Sequence, residues 1–192
     1  PTHYSAKVID GPLAYAKVFV DVAGDRAWDQ GEDVVWTDAN GMFDLYSSQT
    51  GKIVVTTDSN TRDTLSGVVV SDLTLITDSE TVKVGQIGAP TKVITPVTTA
   101  LELLNQSIAS EGPIDAGVSL EQAQTLLKGV LPIPDVDLLT FDPSSTEVNQ
   151  EHAAKYIKSN VILVSTLSTL STFVSGSTNN QVTESSVYNK GM

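Results

Sequence analysis

A run of acidic residues between two strand-like segments constrains this chain more than any other feature of its sequence. Seven carboxylates lie between Asp21 and Asp44, and Arg26 is the only basic residue among them. Like charges at this density raise the free energy of a folded chain unless solvent or a bound cation offsets their repulsion. The segment therefore forms either a solvated loop or a cation site.

The first twelve residues of the segment, DVAGDRAWDQGE, have the spacing of a calcium-binding loop. Acidic residues stand at loop positions one, five, nine and twelve, and position seven of such loops supplies a backbone carbonyl. We therefore predict a Ca²⁺ site whose ligands are Asp21, Asp25, the carbonyl of Ala27, Asp29 and Glu32. Because the flanking segments are strand-like rather than helical, we expect the ion to have a structural role.

Two positions of this loop depart from the usual pattern. Ala23 at position three has no side-chain ligand, and Arg26 stands at position six, where glycine normally permits the sharp turn. A left-handed backbone at a residue other than glycine costs roughly 1 to 2 kcal/mol. We therefore expect weak affinity, with a dissociation constant on the order of 10⁻⁴ to 10⁻³ M. The alternative remains a solvated acidic loop between two strands.

Other candidate sites allow two interpretations each. The acids of PDVDLLTFDP form either a second calcium site or the caps of neighbouring helices, and the residues concerned are Asp135, Asp137 and Asp142. Trp28 and Trp36 flank the acidic loop and either stack on a sugar or anchor the loop. A ligand-binding surface could also include Tyr15 and Tyr46.

The sequence shows no pattern that indicates catalysis, and we predict that the chain is not an enzyme. We expect His3 to lie in a frayed end and His152 to lie early in a helix without a serine or acidic partner, which argues against a hydrolase triad. A calcium-dependent glycosidase would need a separate acid/base pair facing its substrate, whereas the acids here cluster in one loop.

The net charge and the absence of cysteine exclude several kinds of partner and of stabilising bond. Twenty-three Asp and Glu residues against eleven Lys and Arg give a formal charge of -12. Such a charge repels nucleic-acid phosphates and anionic lipid head groups, so we expect no nucleic-acid partner. No apolar segment is long enough to span a bilayer, so we expect no membrane insertion. The absence of cysteine excludes disulfides, so we expect the acidic loop to supply stability instead.

The order of strand-like and helix-like patterns predicts an α+β fold. Short apolar, β-branched segments separated by turns indicate an antiparallel β-sandwich of the Ig-like or adhesin type in the first half. These predicted strands cover residues 14–21, 34–37, 51–57, 65–70, 73–76, 81–84 and 92–94. We expect a three-helix C-terminal portion to pack on this sandwich.

Three amphipathic segments predict the helices. Thr95 caps the first helix and Pro96 occupies its first turn, Ser119 caps the second helix in a capping box with Gln122, and the third covers 146–174. We predict one domain, in which 1–94 is the sandwich part with the calcium loop and 95–176 is the helical part. Residues 177–192 are then a linker or a final strand.

Several segments resemble bacterial surface adhesins. VIDGPLAYAKVFVDVAGDRAWDQGEDVVWTDANGMF is similar to the opening of the calcium-bound β-sandwiches of these proteins, including the B repeats of Gram-positive clumping proteins. ITPVTTALELL, SLEQAQTLLKGVL and DVDLLTFDP are similar to the continuation in the "split domain" of long repeats-in-toxin (RTX) adhesins. Together these segments cover roughly residues 8–174.

The resemblance implies a calcium-stabilised module, secreted to the bacterial cell surface, that scaffolds or presents a ligand-binding domain in attachment and biofilm formation. We expect neighbouring adhesin modules as partners, a monomeric chain, and an export signal outside this segment, since no leader follows Pro1. In that family the split domain often carries an inserted sugar-binding module, and no segment here is long enough to be that insert. The alternative is a domain that itself binds a glycan or peptide with the help of calcium.

Overall fold

The computed structural model describes residues 1–85, 88–110 and 116–166. Within these ranges the fold is α+β, with mostly antiparallel sheets followed by helices. The strands are β1 (Thr2–Val8), β2 (Leu13–Ala14), β3 (Lys17–Asp21), β4 (Val34–Trp36), β5 (Met42–Ser47), β6 (Lys52–Thr56), β7 (Arg62–Asp63), β8 (Thr74–Thr77) and β9 (Val93–Ile94). The helices are α1 (Ser79–Val82), α2 (Pro96–Ser110), α3 (Ala116–Val130) and α4 (150–166).

The strands form three sheets. The larger sheets have the orders β5-β1-β9 and β4-β3-β6-β8, and β2 pairs with β7 in a separate small sheet. All of these pairs are antiparallel except β1 with β9. In β1 and β5 buried residues alternate with more exposed ones, as expected for strands with one face on a core.

Side chains from both larger sheets share one buried cluster. Ala6 and Val8 of β1 and Phe43 of β5 contact the same cluster as Val18 and Val20 of β3. The opposite face of β3 carries Phe19, which packs with Val54 and Ile76 and, from α2, the partly buried Leu103. The four-stranded sheet is therefore covered on both faces, which explains why β3 and β6 are almost continuously apolar.

The helices form a second core around Tyr156 of α4. This cluster includes Val97 and Leu101 of α2, Leu127 of α3 and Leu138 of the connection between α3 and α4. Thr95 caps α2, since its Oγ1 accepts the backbone N-H of Thr98 at 3.1 Å, and Pro96 is the first helical residue. Both details confirm the predicted start of this helix.

Some predicted elements are wrong. The strand predicted over residues 65–70 starts too early, because residues 64–66 are a turn in which the Asp63 carboxylate accepts the N-H of Leu65 and the hydroxyl of Ser66. Of the remaining residues, only Val69 pairs, in an isolated antiparallel bridge with Arg62. The strand predicted over residues 81–84 is also wrong, because residues 79–82 form a short helix. Asp78 caps this helix by accepting the N-H of Glu80.

Other predicted boundaries also change. The strand predicted over 14–21 breaks at Tyr15, which has a φ of 63°. Ser119 lies inside α3 and is not its cap, because α3 begins at Ala116. The third predicted helix begins at 150 rather than 146, and its predicted end at 174 lies outside the described residues, as do residues 177–192.

Candidate cation site in the acidic loop

Antiparallel pairing of β3 and β4 fixes the base of the acidic loop. Asp21 is the last residue of β3 and is 3 % exposed, and Glu32, which precedes β4, is 8 % exposed. The N-H of Val20 donates to the carbonyl of Asp33 at 3.1 Å and closes the loop. The hairpin therefore buries the side chains of the first and last predicted ligands.

Glu32 holds the loop through backbone hydrogen bonds. Its Oε1 accepts the N-H groups of Val22 at 2.7 Å and Ala23 at 3.3 Å, and its Oε2 accepts the N-H of Asp29 at 3.0 Å. Burial alone would raise the pKa of Glu32, but these three donors outweigh it and lower the pKa below its ordinary value. Glu32 is therefore ionised at neutral pH.

The Asp21 carboxylate also accepts backbone hydrogen bonds from this stretch of the loop. Its Oδ1 accepts the N-H of Gly24 at 2.7 Å, and its Oδ2 accepts the N-H of Arg26 at 3.0 Å. Asp25 accepts the N-H of Ala27 at 2.9 Å in a local turn, and its side chain is exposed. The loop thus winds around the Asp21 and Glu32 carboxylates, a winding that also occurs in calcium loops.

The backbone at position six has the conformation that the calcium-loop pattern requires. Arg26 has a φ of 65°, and the neighbouring Gly24 has a φ of 80°. The sharp turn is therefore made at both residues, although only Gly24 makes it without steric cost. The left-handed backbone at Arg26 is the one expected from the loop pattern, and the positive φ of Gly24 is an additional finding.

The five predicted ligands are not gathered into one cluster. Asp25, Ala27 and Asp29 are exposed, whereas Asp21 and Glu32 are buried. Among the residues that the structure describes, no group of three or more His, Asp or Glu side chains is arranged to hold a metal ion. The donor set of Asp21 and Glu32 fits a hard cation in chemistry, and the exposed acids would have to turn inward to complete it.

Two exposed tryptophans, Trp28 and Trp36, lie next to Lys17 beside the acidic loop. The loop folds back along β3 so that the Lys17 ammonium lies 5.0 Å from the Trp28 ring centroid, and the indole N-H of Trp28 donates to the carbonyl of Glu32. Trp36 is the cross-strand partner of Lys17. Trp28 and Trp36 are 40 % and 55 % exposed. Lys17 had no signal in the sequence, because its proximity to Trp28 depends on the path of the loop.

The two tyrosines considered as ligand contacts lie in different places. Tyr15 is 56 % exposed and its N-H bonds the carbonyl of Thr37, next to Trp36. Tyr46 of β5 stacks on His3 with ring centroids 4.3 Å apart. His3 is a residue of β1 and its Nε2 is 2.7 Å from Asp44 Oδ1, so the expectation of a frayed end at His3 is wrong.

The acids of the second candidate calcium site have other partners. Asp135 pairs with Lys128 at 2.9 Å, and Asp142 pairs with Lys7 at 2.7 Å. Asp137 accepts the N-H of Leu139 and the hydroxyl of Thr140. These contacts are turn bonds and ion pairs, which favour the structural interpretation of this segment.

In the described ranges, no helix combines the length and the apolar character needed to cross a membrane. No protein-family model, curated protein or solved structure matches this chain, so its function is inferred from the geometry of the acidic loop and its surroundings.

Proposed function

We propose that the chain is a non-enzymatic, calcium-stabilised module of a large bacterial surface adhesin, secreted to the cell surface, that scaffolds or presents a ligand-binding domain. The observation that carries the proposal is the buried carboxylate pair of Asp21 and Glu32 in a loop with calcium spacing. Within the described part of the chain, neither carboxylate forms an ion pair with Lys, Arg or His. Backbone N-H groups rather than a counter-ion now hold both carboxylates, and a bound cation would supply the opposite charge that these donors lack.

Calcium would stabilise this module by binding only its folded form. Asp21 and Glu32 would provide the buried ligands, and Asp25, Asp29 and the carbonyl of Ala27 would provide the others. The unfolded chain does not hold these groups together, so binding free energy adds to folding free energy. The loop joins two strands of the four-stranded sheet, whose shared core with β1 and β5 supports an Ig-like β-sandwich that carries the helices.

The adhesin assignment is supported by where the resembling motifs lie. Thr95, in the segment TPVTT, and Leu138, in DLLTFDP, both bond the hydroxyl of Tyr156, at 3.0 Å and 3.3 Å. The two motifs therefore meet in the helical core, and they account for its architecture rather than for a catalytic site. We propose neighbouring adhesin modules as partners of a monomeric chain that binds no nucleic acid.

Thermal unfolding with and without calcium tests the proposal. At 10 mM Ca²⁺ and the expected weak affinity, binding should add about 1.4 to 2.7 kcal/mol of stability, which raises Tm by roughly 3 to 10 °C relative to EDTA. Glu32→Gln should remove this calcium-dependent shift, whereas Glu121→Gln, which removes the same charge from an exposed position of α3, should retain it. An identical Tm in calcium and EDTA would overturn the proposal.

A second candidate function is direct binding of a glycan or peptide with calcium as a bridge. The observation that favours it is the exposed group of Trp28, Trp36 and Lys17 beside the loop. Aromatic faces stack on sugars, and the ammonium can bond sugar hydroxyls. A glycan array should then show binding that is lost in EDTA and in Trp36→Ala but kept in Tyr46→Ala. Absence of binding to every glycan and peptide probe would retire this alternative.

A further inference from the structure

A groove between the sheets and the helical part is lined by both apolar and acidic side chains. This groove, a cavity of about 350 Å³, is lined by Ile9, Leu65, Ile157 and Val161, together with the polar residues described below. Leu65 is 70 % exposed, and Ile157 and Val161 of α4 are 47 % and 57 % exposed. These three side chains therefore present apolar surface to solvent at the groove.

Of the two carboxylates that line this groove, Asp10 is the one without a hydrogen-bond partner among the described residues. Asp63 accepts the N-H of Leu65 and the hydroxyl of Ser66, and it lies so close to Gly11 that any side chain at that position would collide with it. Asn160 accepts the N-H of Val97 and Ser144 bonds Asp142. In the described structure the half-buried Asp10 carboxylate forms no hydrogen bond and no ion pair.

The surroundings of Asp10 disfavour its negative charge. Burial raises the pKa of Asp10 and the charge of Asp63 raises it further. Arg26 lines a larger adjoining cavity that Asp10 also reaches, but it makes no ion pair with Asp10 within the described residues. The free protein therefore keeps a half-buried acid without a counter-charge, and an acid kept at a cost in stability points to use in binding.

We propose that this groove binds a lysine or arginine side chain of a partner protein, with the cationic group at Asp10 and the flanking apolar residues of the partner on Leu65, Ile157 and Val161. The volume is at the lower end of ligand pockets, which run from about 300 to 1,000 Å³, and suits one long side chain. Lysine and arginine combine an apolar stem with a charged head. The stem can contact the apolar side chains that line the groove, and the charged head can pair with Asp10.

A metal ion is a poorer occupant than an organic cation. Calcium takes six to eight oxygen ligands, whereas Asp63 is already bonded by its own turn and only Asp10 is free. No metal-holding group of acids occurs among the described residues. The groove contains none of the predicted calcium ligands. The groove proposal can therefore fail while the calcium proposal holds, and the calcium proposal can fail while the groove proposal holds.

Nuclear magnetic resonance of the full chain tests the groove with two peptides. The probe is an acetylated and amidated pentapeptide with lysine at its centre and valines on each side, and the matched peptide has norleucine instead of lysine. We expect saturable shifts of the Gly11 and Asn160 amide signals, with a Kd on the order of 1 mM for the lysine peptide. The norleucine peptide should leave these signals unchanged.

Variants separate the groove from the general negative charge of the chain. Asp10→Asn should weaken binding of the lysine peptide at least fivefold, and Glu121→Gln should leave it unchanged. Equal shifts with both peptides, unaltered binding by Asp10→Asn, or the same shifts from CaCl₂ alone would each overturn the proposal. If Asp10→Asn did not fold, the comparison of lysine and norleucine peptides on the unmodified chain would still decide the question.

Discussion

Arg26 lies in the most acidic part of the chain, has a left-handed backbone and forms no ion pair with any other described residue. Its φ of 65° is the conformation that position six of a calcium loop needs, and its N-H bonds Asp21 at 3.0 Å. Glycine would adopt this conformation without steric cost. The hydrogen bonds of the Asp21 and Glu32 carboxylates to residues 22–29 hold the loop in place despite the strain.

Replacing Arg26 by glycine should strengthen both folding and calcium binding. The substitution relieves roughly 1 to 2 kcal/mol of backbone strain and loses about 0.5 to 1 kcal/mol through the greater freedom of glycine in the unfolded chain. We expect a net gain of up to about 1.5 kcal/mol in EDTA, measured by urea unfolding. We also expect severalfold tighter calcium binding by calorimetry, because a positive charge leaves the loop.

Arg26→Gln separates charge from strain, because it removes the positive charge and keeps a side chain at the left-handed position. Its calcium affinity should rise while its stability in EDTA stays close to that of the parent chain. If Arg26→Gly and Arg26→Gln had the same stability in EDTA, backbone strain at Arg26 would have no measurable effect on folding.

The difference in stability between Asp10→Asn and the parent chain should increase as the pH rises. Folding raises the pKa of Asp10, so its ionisation favours the unfolded chain, and the native protein loses stability as pH rises through the raised native pKa. Below the ordinary pKa of an aspartate, the carboxyl is protonated in both states. We therefore expect Asp10→Asn to be more stable than the parent chain at pH 7 and equally stable near pH 3, in urea unfolding at both pH values.

Glu121→Gln serves as the control for this pH series. Its exposed side chain should give the same small difference from the parent chain at both pH values. A larger advantage of Asp10→Asn at pH 3 than at pH 7 would contradict the burial argument.

Tyr156 joins α4 to the start of α2 and to the connection that precedes α4. Its hydroxyl is 3.0 Å from Thr95 Oγ1 and donates to the carbonyl of Leu138 at 3.3 Å, and its side chain is fully buried. Burial raises the pKa of Tyr156 above the range in which tyrosines usually ionise, so the hydroxyl is protonated at neutral pH. This residue sets how the helical elements meet.

Tyr156→Phe should destabilise the protein by about 1 to 2 kcal/mol, because it removes the hydrogen-bond donor to the buried carbonyl of Leu138 and the acceptor of the buried Thr95 hydroxyl. Tyr46→Phe is the matched control, since Tyr46 is 62 % exposed and should change stability by less than about 0.5 kcal/mol. Urea unfolding of both variants measures the difference. Equal effects of the two substitutions would show that the Tyr156 hydroxyl does not hold the helices together.

The sequence predicted elements well where one strong local signal decides them. Thr95-Pro96 and the apolar period beyond it predicted α2, and the twelve-residue spacing predicted the acidic loop. β1 and β5 were missed, because strands with one exposed face contain polar residues such as Ser5 and Asp44 and form no continuous apolar run. Asp10 and Asp63 approach each other only through the fold, so no local pattern could have indicated them.

Partly buried polar contacts join the sheet part to the helical part within the described residues. Lys52 of β6 lies 2.7 Å from both Asp78 and Glu102, the latter a residue of α2 that is 8 % exposed. Lys7 of β1 pairs with Asp142, and β9 donates a backbone hydrogen bond to Leu139. These contacts favour the prediction of one domain over that of two independent ones.

A single unfolding transition should therefore report on both parts. Trp28 and Trp36 lie in the sheet part, so tryptophan fluorescence follows that part, while far-ultraviolet circular dichroism is dominated by the helices. We expect the two signals to give coincident urea transitions. Separate midpoints would show that residues 1–94 and 95–166 unfold independently.

Calcium binding by the acidic loop underlies the proposed function, and a crystal structure of the chain grown with calcium would measure it. We expect an ion at the loop with Asp21, Asp25 and Glu32 oxygens at about 2.3 to 2.6 Å, and anomalous scattering that identifies it as calcium. A loop that keeps its backbone hydrogen bonds and holds no ion at 10 mM Ca²⁺ would show that it is a solvated acidic loop and not a calcium site.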